Sequence, residues 1–192
     1  MVYSRRVEGK VYTFGISGRL FKSNVLLYDH QTDSLWSQLL KKAITGPMVK
    51  KQLNQLVATL TKWKTWRKSH PKTLVLSDKT GYQRNYSIDP YEGYYRVGGL
   101  MFPVGKVRKD FPAKERILGI ELNKIAKAYP LEILIRHAGV LKDRIKDVTI
   151  QIVVDAEGEI VAVMNQEGKP IPHTFTYWFA WQAFHPKTKV YQ

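Results

Sequence analysis

The sequence predicts a β-rich α+β fold: a single domain over residues 1–192 with two lobes, in which short helices packed by paired tryptophans lie on antiparallel sheet. Three observations lead there. Runs of alternating β-branched and aromatic residues are short and separated by turn residues, the pattern of antiparallel strands. Helical periodicity is confined to brief stretches around tryptophan pairs. A segment Trp-x-x-Trp-x-x-x-His-Pro-Lys-Thr-x-Val occurs at Trp63–Val75 and again at Trp178–Val190, which reads as one helix–turn–strand unit used in each half. The N-terminal lobe is therefore placed at residues 1–110, with its unit at 61–76, and the C-terminal lobe at 111–192, with its unit at 176–191. A hydrophobic fraction of 44% with 12% aromatics excludes a disordered chain and supplies one real core.

The elements follow in order. Lys10–Ser17 alternates and Asn24–Asp29 is a second short apolar run, so both are predicted strands, with Gly18 and Ser23-Asn24 punctuating between them. Asp29–Asp33 has turn chemistry and Ser34–Gln38 resumes a strand, which completes a meander. After Gly46-Pro47, Met48–Leu60 stays open between a helical face of Leu53, Leu56 and Leu60 and a sheet edge over Val57–Leu60. Thr61 as cap and Pro71 as stop bound a short helix. On it Trp63, Trp66 and His70 fall within a sector of roughly 60°, and Lys62, Lys64, Arg67 and Lys68 lie outside it. This predicts an aromatic side against the body and a basic side toward solvent.

Residues 77–115 are turn-rich and predict an ordered loop whose tyrosines pack on the body. Arg116–Leu122 is a predicted strand, Pro130 and Gly139 frame a helix over Leu131–Ala138, and Val148–Val154 with Glu159–Met164 make the clearest hairpin. The second unit surrounds its Trp pair with Tyr177, Phe179, Ala180, Ala183 and Phe184 where the first has bases, so its helix is predicted buried nearly all round. Trp63, Trp66, Trp178 and Trp181 are all expected in the core.

Charge is the strongest compositional signal. Against 16 Asp+Glu stand 31 Lys+Arg, a formal net charge of +15, with 20 bases and 7 acids in residues 1–110 but 11 and 9 in 111–192. Ser34–Ser77 holds nine bases and no acid. A one-sided field of this kind suits a polyanion, whether nucleic acid, an acidic polysaccharide or a membrane surface, and Lys50, Lys51, Lys62, Lys64, Arg67 and Lys68 are expected to form one exposed patch. The competing reading is a solvated lysine-rich face. There is no stretch of about 18 apolar residues to cross a bilayer. The Arg5-Arg6 pair has no apolar region behind it, so no secretory signal is read in the chain as given, and the expectation is a soluble domain, either cytoplasmic or cut from a longer precursor. The absence of Cys excludes disulfides, thiolate metal sites, iron–sulfur clusters and cysteine nucleophiles.

A second function class rests on Asp29, His30, Asp33 and Ser34, two carboxylates, an imidazole and a hydroxyl within six residues, enough for acid–base, hydrolytic or metal-handling chemistry. Ser34, Trp36 and Gln38 alternate along one strand and would line a polar cleft beside an indole wall. The competing reading makes Asp29, Thr32 and Asp33 an Asx-type turn that holds a hairpin. His70 and His185 have no metal-ligand spacing with the other histidines and are expected to cap their helices, so no metal or cofactor is expected. No phosphate loop, dinucleotide fingerprint or nucleophile elbow occurs.

With Gly15-Ile16-Ser17-Gly18, Ser23-Asn24, Tyr28-Asp29, Thr32–Gln38, Gly46-Pro47 and the repeated Trp-x-x-Trp…His-Pro-x-Thr-x-Val in view, the chain resembles the prokaryotic family catalogued as domain of unknown function 3179 over nearly its whole length. It departs from that pattern in three places. Relatives usually carry a cysteine-containing segment upstream of the first strand, the residue after Tyr28-Asp29 is commonly Arg and is His30 here, and the second unit lacks the strand motif that Asp29–Gln38 supplies to the first. The resemblance implies a label and no reaction.

Overall fold

Short alternating runs fold as short strands throughout the computed structural model, which describes residues 1–192. Three two-residue strands, β1 (Val2–Tyr3), β2 (Arg6–Val7) and β3 (Lys10–Val11), lead into β4 (Phe14–Phe21), β5 (Asn24–Asp29), β6 (Leu35–Ser37) and β7 (Lys42–Ala43). These last four form the expected antiparallel meander. β4 does not stop at Gly18 but runs through it with a bulge between Ile16 and Leu20. Met48–Leu60 forms neither a helix nor an edge at Val57–Leu60. It carries only β8 (Gln55–Leu56), which returns to pair with β1.

The second half begins with α1 (Trp63–Ser69) and α2 (Glu92–Arg96), then β9 (Arg116–Leu122), β10 (Ile125–Pro130) and α3 (Leu131–Ile135). There follow β11 (Gly139–Ile145), β12 (Val148–Val154), β13 (Ile160–Asn165), β14 (His173–Tyr177), α4 (Trp178–Phe184) and β15 (Lys189–Val190). One sheet has the order β14-β9-β10-β15, its last pair parallel, and β11-β12-β13 form an antiparallel sheet of their own. α3 ends short of the predicted Ala138 because Gly139 already pairs with Val154 at the start of β11.

The largest core cluster joins Leu118, Ile120 and Tyr129 of the four-stranded sheet to Leu141, Ile150 and Ile152 of the three-stranded one. A second forms where α4 lies on Ile117 and Ala128, and Leu39 from the meander enters it. A third gathers Val7, Tyr12, Trp36 and Leu53. Phe21 meets Phe184 edge-on at 5.6 Å, and Lys22 Nζ donates to the Ala183 carbonyl at 2.6 Å, so the meander is pinned to α4.

Both Trp-x-x-Trp segments make the same local contacts. The indole N–H of Trp66 donates to Thr73 Oγ1 at 2.9 Å, as that of Trp181 does to Thr188 Oγ1 at 2.9 Å. His70 and His185 end their helices at nearly the same dihedrals, each donating its backbone N–H to the Trp carbonyl four residues back. Their rings lie 3.8 and 4.0 Å from the indoles. The spacing of the motif is thus the spacing of a self-contained stack and hydrogen bond.

The surroundings differ, and here the expectation of four core tryptophans fails. All seven residues of α4 are buried, with Trp181 seated on Gly119, where a Cβ would come within 2.5 Å of the ring. α1 buries none of its residues, and Trp63 and Trp66 are 48% and 40% exposed. Thr61 does not cap α1. Its hydroxyl and that of Thr65 reach Glu159 at 2.5 and 3.1 Å, and the Lys62 N–H reaches it at 3.2 Å. At 100° per residue Thr65 lies roughly 130° around the helix from the tryptophan sector, so fastening Thr65 to the body turns the indoles outward.

No residue between Asn54 and Arg116 is buried, and the tyrosines expected to pack there do not: Tyr82, Tyr86, Tyr91 and Tyr95 are exposed. Its end reaches the body, where Leu100, Val104, Val107 and Phe111 lie against the α4 cluster. Lys114 holds it, donating to the carbonyls of Tyr94 and Val97 with its ammonium 3.5 Å from the Tyr94 ring.

Candidate functional site

Asp29 ends β5, and its side chain folds back over the turn that follows. Oδ1 accepts from the Thr32 amide at 2.6 Å and the Thr32 hydroxyl at 2.8 Å, while Oδ2 accepts from the buried Trp36 indole N–H at 2.8 Å. The Thr32 hydroxyl also lies 2.7 Å from Ser34 Oγ, which accepts the Met48 N–H at 3.0 Å. Asp29, Ser34 and Trp36 are fully buried. Gly46 closes the site from outside: its φ of +78° and the 2.6 Å from a would-be Cβ to Ser34 Oγ leave room for no side chain. The backbone agrees with the Asx-type reading, since Asp33 takes a left-handed φ of 53° and donates its N–H to the Asp29 carbonyl.

The five residues expected to share a cleft therefore do not present reactive atoms to one. Asp29 and Ser34 spend their lone pairs on the turn and on Met48, and Trp36 is walled in by Phe14, edge-on at 5.6 Å. His30 is exposed and leans on Tyr28, ring centroids 4.8 Å apart, away from the buried pair. Gln38 is half-buried and donates to the Val25 carbonyl at 3.3 Å. What the arrangement does chemically is clamp a turn and satisfy an indole N–H inside the core.

The six predicted cationic positions divide between two places. Lys50 and Lys51 line a shallow 560 Å³ cleft with Arg6, Glu8 and Gln52, and Lys51 is paired with Glu8 at 2.6 Å. Lys62, Lys64, Arg67 and Lys68 stand on or beside α1. Lys62 Nζ is 3.8 Å from Glu159, whereas Lys64, Arg67 and Lys68 enter none of the eight ion pairs of the molecule. The Glu159 carboxyl is held below the usual range by the Thr61 hydroxyl first, and by the Lys62 amide, Thr65 and the Lys62 charge. A buried carboxylate thus fixes the root of α1 while three of its cations and both of its indoles face outward.

Sequence reasoning missed a cleft of about 900 Å³ lined by Val2, Leu60 and residues of β14. His173, Phe175 and Tyr177 line it from β14, and Arg116 and Tyr95 line it too. The alternation His-x-Phe-x-Tyr is a strand signal that could have marked it. No group of three or more His, Asp or Glu is placed to hold a metal ion, and no helix is long and apolar enough to cross a membrane.

Among known protein families, one described as protein of unknown function (DUF3179) matches residues 1–188. No curated protein and no solved structure matches the chain.

Proposed function

Because the chain belongs to the DUF3179 family, whose function is unknown, we propose from its own geometry that it is a non-enzymatic binding domain, and that α1 is the element that meets a polyanion. One observation carries the reading: Lys64, Arg67 and Lys68 are exposed and unpaired on the same short helix that exposes Trp63 and Trp66. Cations interleaved with open indoles are the chemistry of single-stranded polyanion grooves, in which phosphates or sulfates meet the bases and flat rings stack on the aromatics. Trp66 has one face covered by His70, stacked at an interplanar angle of 8°, which stiffens the indole as a platform.

On this reading α1 is a copy of the α4 unit released from core duty. α4 keeps its tryptophans on Gly119, and in α1 the same stack and hydrogen bond hold the indoles ready at the surface. Lys50 and Lys51, on a separate cleft beside Glu8, add long-range field and no contact of their own. The test is retention on immobilised heparin at about 0.1 M salt for the native chain and for Lys64→Glu/Arg67→Glu. Early elution of the double variant with unchanged thermal stability supports the role of α1. Equal retention removes it.

A further inference from the structure

We propose that the cleft along β14 is a second binding site, for a small amphipathic organic anion, with Arg116 receiving the acid group and His173 Nε2 accepting a hydrogen bond from an O–H or N–H at the far end. It is independent of the polyanion reading, because it uses neither α1 nor its cations.

The site is built on an edge strand. β14 is the outer strand of its sheet, and residues two apart on a strand share a face. His173, Phe175 and Tyr177 therefore point the same way, and all three line the 900 Å³ cleft. That volume lies in the range of cavities that hold small organic molecules. Val2 and Leu60 line it as well, and seven of its twelve lining residues are hydrophobic.

Its two ends are polar and unlike. His173 is 8% exposed, and its Nδ1 lies 2.9 Å from the Ile171 carbonyl. A carbonyl can only accept, so Nδ1 carries the hydrogen and Nε2 is left as a lone-pair acceptor. That Nε2 is buried without a partner. Its ring is also set edge-on to Phe175, its neighbour in the cleft wall, at 5.3 Å. Burial pushes the imidazole pKa below its ordinary value, so the ring is neutral at pH 7 and keeps that acceptor. A buried acceptor without a donor is costly, and a ligand hydroxyl would remove the cost.

At the other end Arg116 is exposed, faces Tyr177 across the strand pair and enters none of the eight ion pairs. Lys114, which also lines the cleft, is already committed to the Tyr94 and Val97 carbonyls. The free guanidinium is the natural receptor for a carboxylate. Four residues separate the two ends along β14, roughly 13 Å of strand, and Arg116 reaches inward over part of it. The matching ligand is an apolar or aromatic body about 10 Å long with an acid at one end and a donor at the other.

The probe is 4′-hydroxybiphenyl-4-carboxylate, compared with its 4′-methoxy analogue, which lacks the donor, and with 4-hydroxybiphenyl, which lacks the acid. Calorimetric titration of the full chain should give one saturable site with a dissociation constant below about 1 mM, each analogue at least about tenfold weaker. Arg116→Gln should abolish the advantage of the acid, and His173→Phe the advantage of the hydroxyl over the methoxy group. Lys64→Glu/Arg67→Glu should bind the probe like the native chain. If His173→Phe fails to fold, the exposed Arg116→Gln still decides the matter. Equal affinity for all three compounds, no saturable binding, or an unchanged carboxylate affinity in Arg116→Gln would overturn the proposal.

Discussion

Replacing Asp29 by Asn separates a structural role from a chemical one. The carboxylate serves two N–H donors through different oxygens, the half-buried amide of Thr32 at 2.6 Å and the buried indole of Trp36 at 2.8 Å. Asn retains a single acceptor oxygen, so its amide NH₂ must face one of those donors. A buried donor without an acceptor costs about 1–3 kcal/mol, and the bonds lost are to a carboxylate, which places Asp29→Asn near the upper end, about 2–3 kcal/mol. In a chain of 192 residues each kcal/mol moves the melting temperature by about 2–4 °C, so a fall of roughly 5–10 °C is expected. Urea denaturation should show a lower midpoint with an unchanged slope. The cost should shrink in a Trp36→Phe background, which removes one of the two donors that compete for the remaining oxygen, and that coupling identifies the bond rather than the charge as the cause. An Asp29→Asn protein as stable as the native chain would refute the clamp.

Two further outcomes follow from the same contacts. Trp181→Ala should cost about 3–5 kcal/mol, because it empties a site under the four-stranded sheet, whereas Trp66→Ala, 40% exposed, should cost no more than about 1 kcal/mol; matched denaturation curves check both, and equal losses would contradict the assigned burial. Glu159 titrates below the usual carboxylate range because the hydroxyls and amide at the root of α1 bond its charged form. Docking of α1 is thus fully supported above the ordinary Glu pKa of about 4.3 and lost only as pH falls through the lowered value. Proteolysis of the Lys62–Lys72 stretch should accelerate in the native chain only once the pH has fallen below the ordinary Glu range, and at every pH in Glu159→Ala; identical digestion of the two proteins would show that the carboxylate does not hold α1.

Local chemistry was legible in the sequence and long-range placement was not. The meander, β9 and the β12–β13 hairpin follow from alternation and turn residues, which act within a few positions. The Asx-type turn was legible for the same reason, since Asp29 finds Thr32 three residues on. The Trp-x-x-Trp motif encoded its own stack and hydrogen bond, yet it could not say whether a sheet lies beneath. Gly119 supplies that floor to Trp181, and nothing near α1 in sequence told of Glu159, nearly a hundred residues away, whose hold on Thr61 and Thr65 turns Trp63 and Trp66 outward. The catalytic reading of Asp29, His30 and Ser34 erred similarly: proximity in sequence put three reactive groups together, and burial sent two inward and one out. The β14 cleft escaped notice because its walls come from residues 2, 60, 95, 116, 173 and 175–177, which only the fold brings together.

The binding role of α1 is tested most directly by the salt dependence of affinity for a single-stranded oligonucleotide, followed through tryptophan fluorescence. If Lys64, Arg67 and Lys68 each neutralise a phosphate, log K should fall against log salt with a slope of about −2, near 0.7 per contact, and the emission should be quenched as bases stack on Trp63 and Trp66. Lys64→Glu/Arg67→Glu should flatten that slope and lower the affinity without changing the fold. A slope near zero, or one that the double reversal leaves as it was, would contradict the account.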